Sequence, residues 1–326
     1  MIVPRFGVVV LNWNNAQDTI SCLEALLGLT MLPACVVVVD NGSVDGSADA
    51  IGHWIAARRL PDGTGSVPWL TLLRAGSNKG FAGGTNIGLR YLVERTDVTH
   101  LLLLNNDATL SANFFDTLVA ILEERPDSGL IGPTIFEGEA EQKVWYAGGV
   151  EIPVRALYKH LHEVPASHTP VPTDFVTGCA MVISRELTES IGLLPECYYP
   201  AYWEDGEYSF RARQAGFPVL YAPAAKAYHK VGGTVRYADI DLELARAKNR
   251  LRVFYVRRNY RGFKKAVALG YLAVTKPGRA IVEALSGRAA HGNAILTGTL
   301  AGFFDSPFVG EEKPDQRKSP ASQPVR

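Results

Sequence analysis

The sequence predicts an α/β fold with a doubly wound, mixed sheet, and three observations lead to this prediction. β-rich runs alternate with helical patterns over the first 136 residues. The four valines at residues 36–39 show no polar alternation, as strands buried on both faces of a parallel sheet require. Polar clusters end three of these runs, at residues 12–15, 40–43 and 105–107. Because strand ends in open α/β sheets face one crevice, the clusters should converge there. Alternatively, they only form turns and cap the following helices.

The elements of the first half follow in chain order. Strands are predicted at residues 6–11, 36–40, 69–73, 101–104 and 130–136. Helices are predicted at residues 18–29, 47–57, 85–95 and 111–124. This alternation of strand and helix is typical of parallel β-α-β units.

The second half is less regular. Residues 138–172 contain paired glycines and several prolines, which indicate hairpins and loops. Further elements are an apolar strand at 179–183, helices at 185–191 and 204–214, and short strands at 219–221 and 225–229. We therefore expect one domain over residues 1–236, with a nucleotide-binding half at 1–110 and an acceptor half at 111–236. A basic helical extension at 237–310 and a disordered, proline-rich tail at 311–326 complete the prediction.

Composition excludes several classes of protein. Lys and Arg total 33 and Asp and Glu total 33, so the chain lacks the basic surplus of a general nucleic-acid binder. The four cysteines are irregularly spaced, which favours scattered buried thiols over zinc or disulfide sites. No apolar stretch has the length of a signal peptide or a membrane-spanning helix. We expect a cytoplasmic protein, including one bound at the cytosolic face of the plasma membrane.

A basic segment lies beyond the main domain. Residues 246–265 contain nine Lys or Arg and no acid, interleaved with apolar residues at helical spacing. Such a helix indicates peripheral contact with a membrane surface or with a partner. The alternative is a charged face that packs on the main domain.

Acidic residues and one histidine are the candidates for chemistry. Asp107 follows the apolar run 101–104, where a carboxylate suits Mg²⁺ or Mn²⁺ bound to a diphosphate. Glu204, Asp205 and Glu207 begin a predicted helix, where acids are favoured by the helix dipole. An aspartate in that turn, beside the aromatic Tyr202 and Trp203, can also take a proton from a hydroxyl. His229, at a strand end, is either a core histidine or a metal ligand.

A glycine-rich segment at residues 78–88 precedes a predicted helix. It has neither the G-x-G-x-x-G spacing nor a Gly-Lys-Ser/Thr sequence, so NAD and ordinary nucleoside triphosphates are not indicated. Its glycines would allow the backbone to approach a nucleotide closely. The segment is interpreted as a binding loop.

Together these motifs resemble the family 2 glycosyltransferases, inverting enzymes with the Rossmann-like GT-A fold, and among them the rhamnosyltransferase-like members. The resemblance extends over residues 8–234, about two thirds of the chain. It depends on the segments 39–47, 78–88, 104–107, 177–180 and 204–205 and on residue 229. Each motif alone is loose, but their order and spacing are specific.

The resemblance implies a role for each matching residue. Asp205 would be the catalytic base, with Glu204 beside it, and Trp203 and Tyr202 would contact the acceptor. Asp107 and His229 would hold the divalent metal. Residues implied to bind the nucleotide-sugar are Asn12, Asn14, Asp40, Asn41, Asn78, Lys79, Gly83, Asn86 and Asn106.

Two positions depart from the family pattern. The first acid of the D-x-D motif is Asn105 here, as is common among rhamnosyltransferase-like members. The last acid of E-D-x-D is Glu207, one methylene longer than aspartate.

The implied reaction moves a sugar, with rhamnose favoured, from a dTDP- or UDP-sugar to a glycan or lipid-linked glycan in cell-surface polysaccharide synthesis. Two alternatives belong to other classes. A sugar nucleotidyltransferase would carry a glycine-rich basic loop after its first strand, where this chain has residues 12–15, Asn-Trp-Asn-Asn. A non-catalytic protein of the same fold would be expected to have lost some of the acids.

Overall fold

The computed structural model describes residues 3–63, 67–138, 141–230 and 238–305. The strands within these residues are β1 (Phe6–Asn12), β2 (Cys35–Asp40), β3 (Leu70–Arg74), β4 (His100–Asn105), β5 (Ala108–Leu110), β6 (Leu130–Glu137), β7 (Val144–Tyr146), β8 (Gly149–Ile152), β9 (Leu157–His160), β10 (Val171–Pro172), β11 (Ala180–Ser184) and β12 (Val219–His229). The helices are α1 (Ala16–Leu27), α2 (Ser47–Ala56), α3 (Gly80–Arg95), α4 (Phe114–Glu124), α5 (Arg185–Ile191), α6 (Glu204–Gln214), α7 (Ala238–Asn259), α8 (Gly262–Leu285) and α9 (Ala289–Phe304).

The central sheet is mixed, as the sequence predicts. Its strand order is β10-β12-β6-β11-β4-β1-β2-β3. The four strands from β4 to β3 are mutually parallel, whereas β11 runs antiparallel between β4 and β6. Strand β12 is parallel to β6, so the carboxyl ends of β1, β2, β4 and β12 can all serve a common site.

The two faces of the sheet bury separate cores. Val8 and Val10 of β1 pack in the core that includes residues of α1, α2 and α4. Val9, between them, packs in the core that includes residues of α3, α5 and α6. Because side chains alternate across a strand, the apolar run of three valines in β1 supplies both layers, and the doubly wound fold is confirmed.

Helix α3 corrects the prediction of a glycine-rich loop. It begins at Gly80 rather than at residue 85, so most of the segment 78–88 is helical. A Cβ at Gly84 would lie 2.6 Å from Leu11 Cδ1, and one at Gly88 would lie 2.5 Å from Val9 Cγ1. These glycines therefore allow the helix to pack closely on β1.

Strand β12 also differs from its prediction. The two short strands expected at 219–221 and 225–229 form one continuous strand with a bulge between Ala222 and Lys226. The bulge absorbs the register shift, which the sequence pattern showed only as an interruption.

The C-terminal helices pack on one another and on the main domain. The predicted basic helix at 246–265 is divided, because α7 ends at Asn259 and α8 begins at Gly262, which has a φ of 50°. Trp203 and Tyr198 of the main domain share a core with Leu251 and Tyr255 of α7. Among the described residues, no helix combines the length and the apolar character needed to cross a membrane.

Several predictions fall on other parts of the chain. The boundary at 236/237, the glycine turn at 231–234 and the tail at 311–326 lie outside the described residues. All four cysteines are free thiols; three are buried and Cys197 is partly buried.

Candidate active site

The carboxylate of Asp40 lies at the end of β2, beside Asn12 at the end of β1. Asn12 is completely buried, and its Nδ2 donates to Asp40 Oδ1 at 2.8 Å and to Ser43 Oγ at 3.1 Å. The backbone N–H of Ser43 donates to Asp40 Oδ2 at 3.1 Å. Asn12 thus holds Asp40 in position, and its amide nitrogen is engaged within the protein.

Asn14 lies in the exposed part of the same strand-end cluster and has a φ of 51°, in the left-handed region. Its backbone N–H donates to Ser43 Oγ at 2.9 Å, and its Oδ1 accepts from the N–H of Val44 at 2.8 Å. Ser43 therefore connects Asn12 with Asn14, a role that the sequence argument missed. Its only signal was its place in the polar cluster after β2.

Asn41 and Asn78, which are also predicted to bind the nucleotide-sugar, hold loops together. Asn41 Nδ2 donates to Asn78 Oδ1 and to the Gly80 carbonyl, both at 3.1 Å, and its Oδ1 accepts from the Lys79 N–H at 2.9 Å. Lys79 itself is exposed. A Cβ on the buried Gly83 would lie 2.9 Å from the Lys79 Cβ, so this glycine too serves close packing.

Asn86 lies deeper in α3 and joins the two halves of the molecule. Its Nδ2 donates to the Leu194 carbonyl and to Glu196 Oε1, each at 2.9 Å, and its Oδ1 accepts from the Leu194 N–H at 3.1 Å. At the start of the same helix, the N–H of Phe81 donates to the Pro200 carbonyl at 2.8 Å. These bonds bring the segment that precedes α6 against helix α3.

Asp107 and His229 meet although 121 residues separate them in the chain. Asp107 Oδ1 lies 3.1 Å from His229 Nε2, and their side chains are 5% and 11% exposed. The antiparallel pairing of β5 with β12 sets His229 opposite Ala108. The ring of Trp145 packs edge-on against the His229 ring, with 4.8 Å between the ring centroids. Asn106 binds a different part of the protein, because its Nδ2 donates to Thr19 Oγ1 of α1 at 3.0 Å.

The Asp107–His229 pair has the chemistry and spacing to bind one divalent ion. Two ligands at right angles on an octahedral ion, each about 2.1 Å from it, stand about 3 Å apart. Nδ1 of His229 is also buried without a hydrogen-bond partner within the described part of the chain. That same part contains no group of three or more His, Cys, Asp or Glu suited to a metal, so this pair would rely on ligands from substrate or water.

Glu204 and Asp205 begin α6, and different contacts surround their carboxylates. Asp205 Oδ2 accepts from the N–H of Gly178 at 3.2 Å, and its Oδ1 accepts from the N–H of Gly206 at 2.7 Å. Glu204 is 5% exposed, and its Oε2 has no hydrogen-bond partner in the described residues.

Burial raises the pKa of both carboxyl groups. The negative charge of Asp205 raises the pKa of Glu204 further, whereas the two backbone N–H donors oppose the rise in the pKa of Asp205. Since neighbouring buried carboxylates resist ionising together, Glu204 retains the proton and Asp205 is the ionised partner.

The two predicted acceptor residues occupy different surroundings. Tyr202 and Trp203 both have a φ of 81°, a conformation uncommon outside glycine that occurs at functional sites. Tyr202 is 40% exposed, whereas Trp203 is buried and stacks on Tyr255 with ring centroids 5.3 Å apart. Of these two residues, only Tyr202 therefore presents an accessible ring.

Glu207, the last acid of the predicted motif, points away from Asp205. Its side chain is 1% exposed, and its Oε1 accepts from Arg258 Nε of α7 at 3.0 Å. The longer side chain at this position thus ties α6 to the C-terminal helices.

Comparison with known proteins places this arrangement in a family. The family described as "Glycosyltransferase like family 2" matches residues 4–255. The low-salt glycan biosynthesis hexosyltransferase Agl10 of Haloferax volcanii is 24% identical over 237 residues, covering 70% of this chain and 68% of the relative. The N-acetylglucosaminyl-diphospho-decaprenol L-rhamnosyltransferase of Mycobacterium tuberculosis is 22% identical over 253 residues, covering 70% and 77%.

Solved structures share the fold. GalNAc-T7 with UDP, GalNAc and Mn²⁺ superposes with a TM-score of 0.60 at 16% identity, over 78% of this chain and 48% of that one. The mannosyltransferase PcManGT of Pyrobaculum calidifontis, with GDP-Man and Mn²⁺, gives a TM-score of 0.55 at 16% identity, over 93% and 88%. The fold is therefore GT-A, and the chain belongs to the glycosyltransferase-like family 2 and is a glycosyltransferase.

Proposed function

We propose that this enzyme transfers a sugar, with inversion, from a nucleotide-diphospho-sugar to a hydroxyl of a glycan or lipid-linked glycan in cell-surface polysaccharide synthesis. The observation that carries the proposal is the pair at the start of α6. An ionised Asp205 is held by two backbone N–H groups, and its neighbour Glu204 is kept neutral by burial.

The donor nucleotide is proposed to bind at the ends of β1 and β2. Asp40 presents a carboxylate held by Asn12 and Ser43, which suits a base that offers an N–H donor, as thymine and uracil do. We favour dTDP-rhamnose because relatives are named as rhamnosyltransferases, including the dTDP-rhamnosyl transferase RfbF of Shigella flexneri, which is 23% identical over 57% of this chain and 60% of its own length. UDP-hexoses are the second choice.

A divalent ion, Mg²⁺ or Mn²⁺, is proposed to bind between Asp107 and His229. When bound, it would neutralise the negative charge that develops on the departing nucleoside diphosphate. The Mn²⁺ named in both structural relatives supports the proposal.

The chain's own residues explain the direction of attack. Asp205 accepts the proton of the acceptor hydroxyl while the oxygen forms a bond to the anomeric carbon. The bond from that carbon to the diphosphate breaks on the opposite face, so one displacement inverts the configuration. The exposed ring of Tyr202 offers a surface on which the acceptor sugar can stack.

Membrane contact at the cytosolic face is proposed through α8. Most of the basic side chains at 246–265 bind groups of the protein itself; they are Arg250, Arg252, Arg257, Arg258, Arg261, Lys264 and Lys265. In contrast, the apolar side chains of Phe263, Val274, Ile281 and Leu285 recur at helical spacing and are 60–86% exposed. The mycobacterial relative, named for a diphospho-decaprenol-linked sugar, supports work on a lipid-linked acceptor at a bilayer.

The Asp205→Asn variant tests the reaction. Donor binding is measured with dTDP and UDP and their sugars by thermal shift with Mn²⁺, where ligand at 100 times its Kd stabilises by about 2.7 kcal/mol. Transfer should fall by about 10²- to 10⁴-fold because the base is lost, while donor affinity is retained. Asp127→Asn, at an exposed carboxylate beyond α4, is the control and should leave transfer unchanged.

Either of two results would contradict the proposal. Near-normal turnover in Asp205→Asn would remove Asp205 as the base. A lack of stabilisation by every nucleoside diphosphate tested would remove the donor class.

A further inference from the structure

Three cationic side chains of the C-terminal helices cluster beside Tyr202. Lys248 and Arg252 lie one turn apart on α7, and Lys276 lies on α8 with its Nζ donating to Asn249 Oδ1 at 2.7 Å. Lys248 Nζ is 4.7 Å from the centre of the Tyr202 ring. The cluster thus adjoins the turn that carries Asp205.

No carboxylate neutralises this cationic cluster of Lys248, Arg252 and Lys276. Over the described ranges, none of the three has an Asp or Glu oxygen within the 4.0 Å of an ion pair. Arg252 Nε donates to the carbonyls of Arg155 and Ala156, which supply no full negative charge. Lys248 donates no hydrogen bond to the described residues; its ammonium group lies over the Tyr202 ring.

The electrostatics of the cluster agree with this geometry. Burial, together with the positive charges of Arg252, Lys248 and Arg279, lowers the pKa of Lys276 to about 8. Burial and then Arg252 lower the pKa of Lys248. Neighbouring cations that lower one another's pKa in this way are stabilised in their charged forms when an anion binds among them.

We propose that Lys248, Arg252 and Lys276 bind the diphosphate of a lipid-linked acceptor whose sugar hydroxyl lies at Asp205. The inference deepens the proposed function and depends on it for the position of the hydroxyl. A diphosphate diester carries two negative charges and several acceptor oxygens, matching three cations with unused donors. The donor diphosphate is assigned to a different place, because Asp107 and His229 lie at the ends of β4 and β12, whereas Lys248 of the cluster contacts Tyr202, the proposed acceptor residue.

The first experiment measures binding of inorganic pyrophosphate by calorimetry in EDTA, which removes divalent ions. Lys248→Gln and Lys276→Gln should each weaken binding at least tenfold. Lys265→Gln is the matched control, since it lies on α8 about 16 Å along the helix axis from Lys276 and should have no effect. Unfolding midpoints confirm that each variant is folded.

Several results would overturn the inference. Equal binding in all variants would do so, as would displacement of pyrophosphate by saturating UDP or dTDP, which would place it in the donor site. Loss of binding to phosphatidylglycerol vesicles with unchanged pyrophosphate binding would instead indicate a lipid headgroup site.

A second experiment separates this inference from the proposed function. Transfer to N-acetylglucosamine on a short prenyl diphosphate is compared with transfer to the same sugar on an uncharged alkyl chain. Lys276→Gln should raise the KM for the diphosphate acceptor about tenfold and leave the donor KM unchanged. If the wild type transfers sugar but shows no preference for the diphosphate acceptor, the inference fails while the proposed function stands.

Discussion

Adjacent residues of similar chemistry have different states in this enzyme. Glu204 and Asp205 are both carboxylic acids at the start of α6, and the carboxylate of Asp205 accepts hydrogen bonds from the N–H groups of Gly178 and Gly206. Those bonds stabilise its charge, whereas burial and the charge of Asp205 keep Glu204 protonated. The different protonation of the two neighbours therefore arises from the local surroundings of each carboxyl group, which the E-D sequence alone does not reveal.

Glu204→Gln should change how stability depends on pH. Burial raises the pKa of Glu204 from 4.5 to about 8, so between these values the folded state binds a proton that the unfolded state lacks. This contribution to stability is present below pH 4.5 and is lost as the pH rises through 8, by at most about 1.4 kcal/mol per pH unit. The stability of Glu204→Gln relative to the wild type should therefore rise from pH 5 to pH 8 in urea unfolding.

Glu186→Gln provides the control for this measurement. Glu186 is an exposed glutamate in the first turn of α5, and its replacement should give a difference from the wild type that does not vary over the same pH range. A difference for Glu204→Gln that is equally constant would show that Glu204 is not held protonated by its burial.

Asp107→Ala should greatly reduce the effect of metal on donor binding. If Asp107 and His229 share an ion, Mn²⁺ should strengthen the binding of UDP or dTDP to the wild type. In the variant, this increase in affinity should be smaller by about tenfold. Binding without metal should stay the same, because Asp40 lies on another strand. Calorimetric titrations with and without Mn²⁺ measure both, with Asp127→Ala as the control. The same Mn²⁺ response in Asp107→Ala would exclude the proposed ligand.

Whole elements are placed by a few contacts between distant segments. Helix α3 approaches β1 through Gly84 and Gly88, and α6 is joined to α7 by the pair of Glu207 and Arg258. Glu207 lies in the same helical turn as Asp205, so the second contact also holds the turn that carries the proposed base.

Arg258→Ala should destabilise the protein by about 3–5 kcal/mol, since it leaves the charge of Glu207 buried without its cation. The double variant Glu207→Gln, Arg258→Ala should recover part of this loss, because no buried charge remains. Urea unfolding measures both, and Arg246→Ala, on the exposed part of α7, should change stability by less than about 0.5 kcal/mol. Equal losses in the single and double variants would show that the ion pair is not the cause.

At the scale of the whole molecule, the C-terminal helices pack on the segment that carries the proposed catalytic pair, Glu204 and Asp205. Trp203, next to the proposed catalytic pair, packs on Tyr255 of α7. Glu151 of β8 binds Arg213 of α6, Tyr260 between α7 and α8, and Lys264 of α8. Deleting these helices would expose that core, so their role at a membrane has to be tested by point substitutions.

Val274→Asp and Ile281→Asp should weaken binding to vesicles that contain phosphatidylglycerol by at least about tenfold, because a charge opposes insertion of the exposed face of α8 into a bilayer. Val3→Asp replaces a valine that is 72% exposed elsewhere and should have no effect. Co-sedimentation measures binding, and unfolding midpoints confirm folding. Unchanged sedimentation of both α8 variants would reject this face as the membrane contact.

The sequence alone determined the alternation of elements, the buried parallel strands and the polar strand ends, because these depend on local apolar patterns and on the chain direction of parallel strands. Its resemblance to a family also selected Asp107, Asp205 and His229. Only the tertiary structure decided which polar side chains bind partners inside the protein. Asn12 binds Asp40, Asn86 binds Leu194 and Glu207 binds Arg258. The partners of Asn12, Asn86 and Glu207 lie 28 to 108 residues away in the chain, so neither motif nor periodicity identifies them. Whether a polar residue faces the ligand or the fold is set by what packs against it.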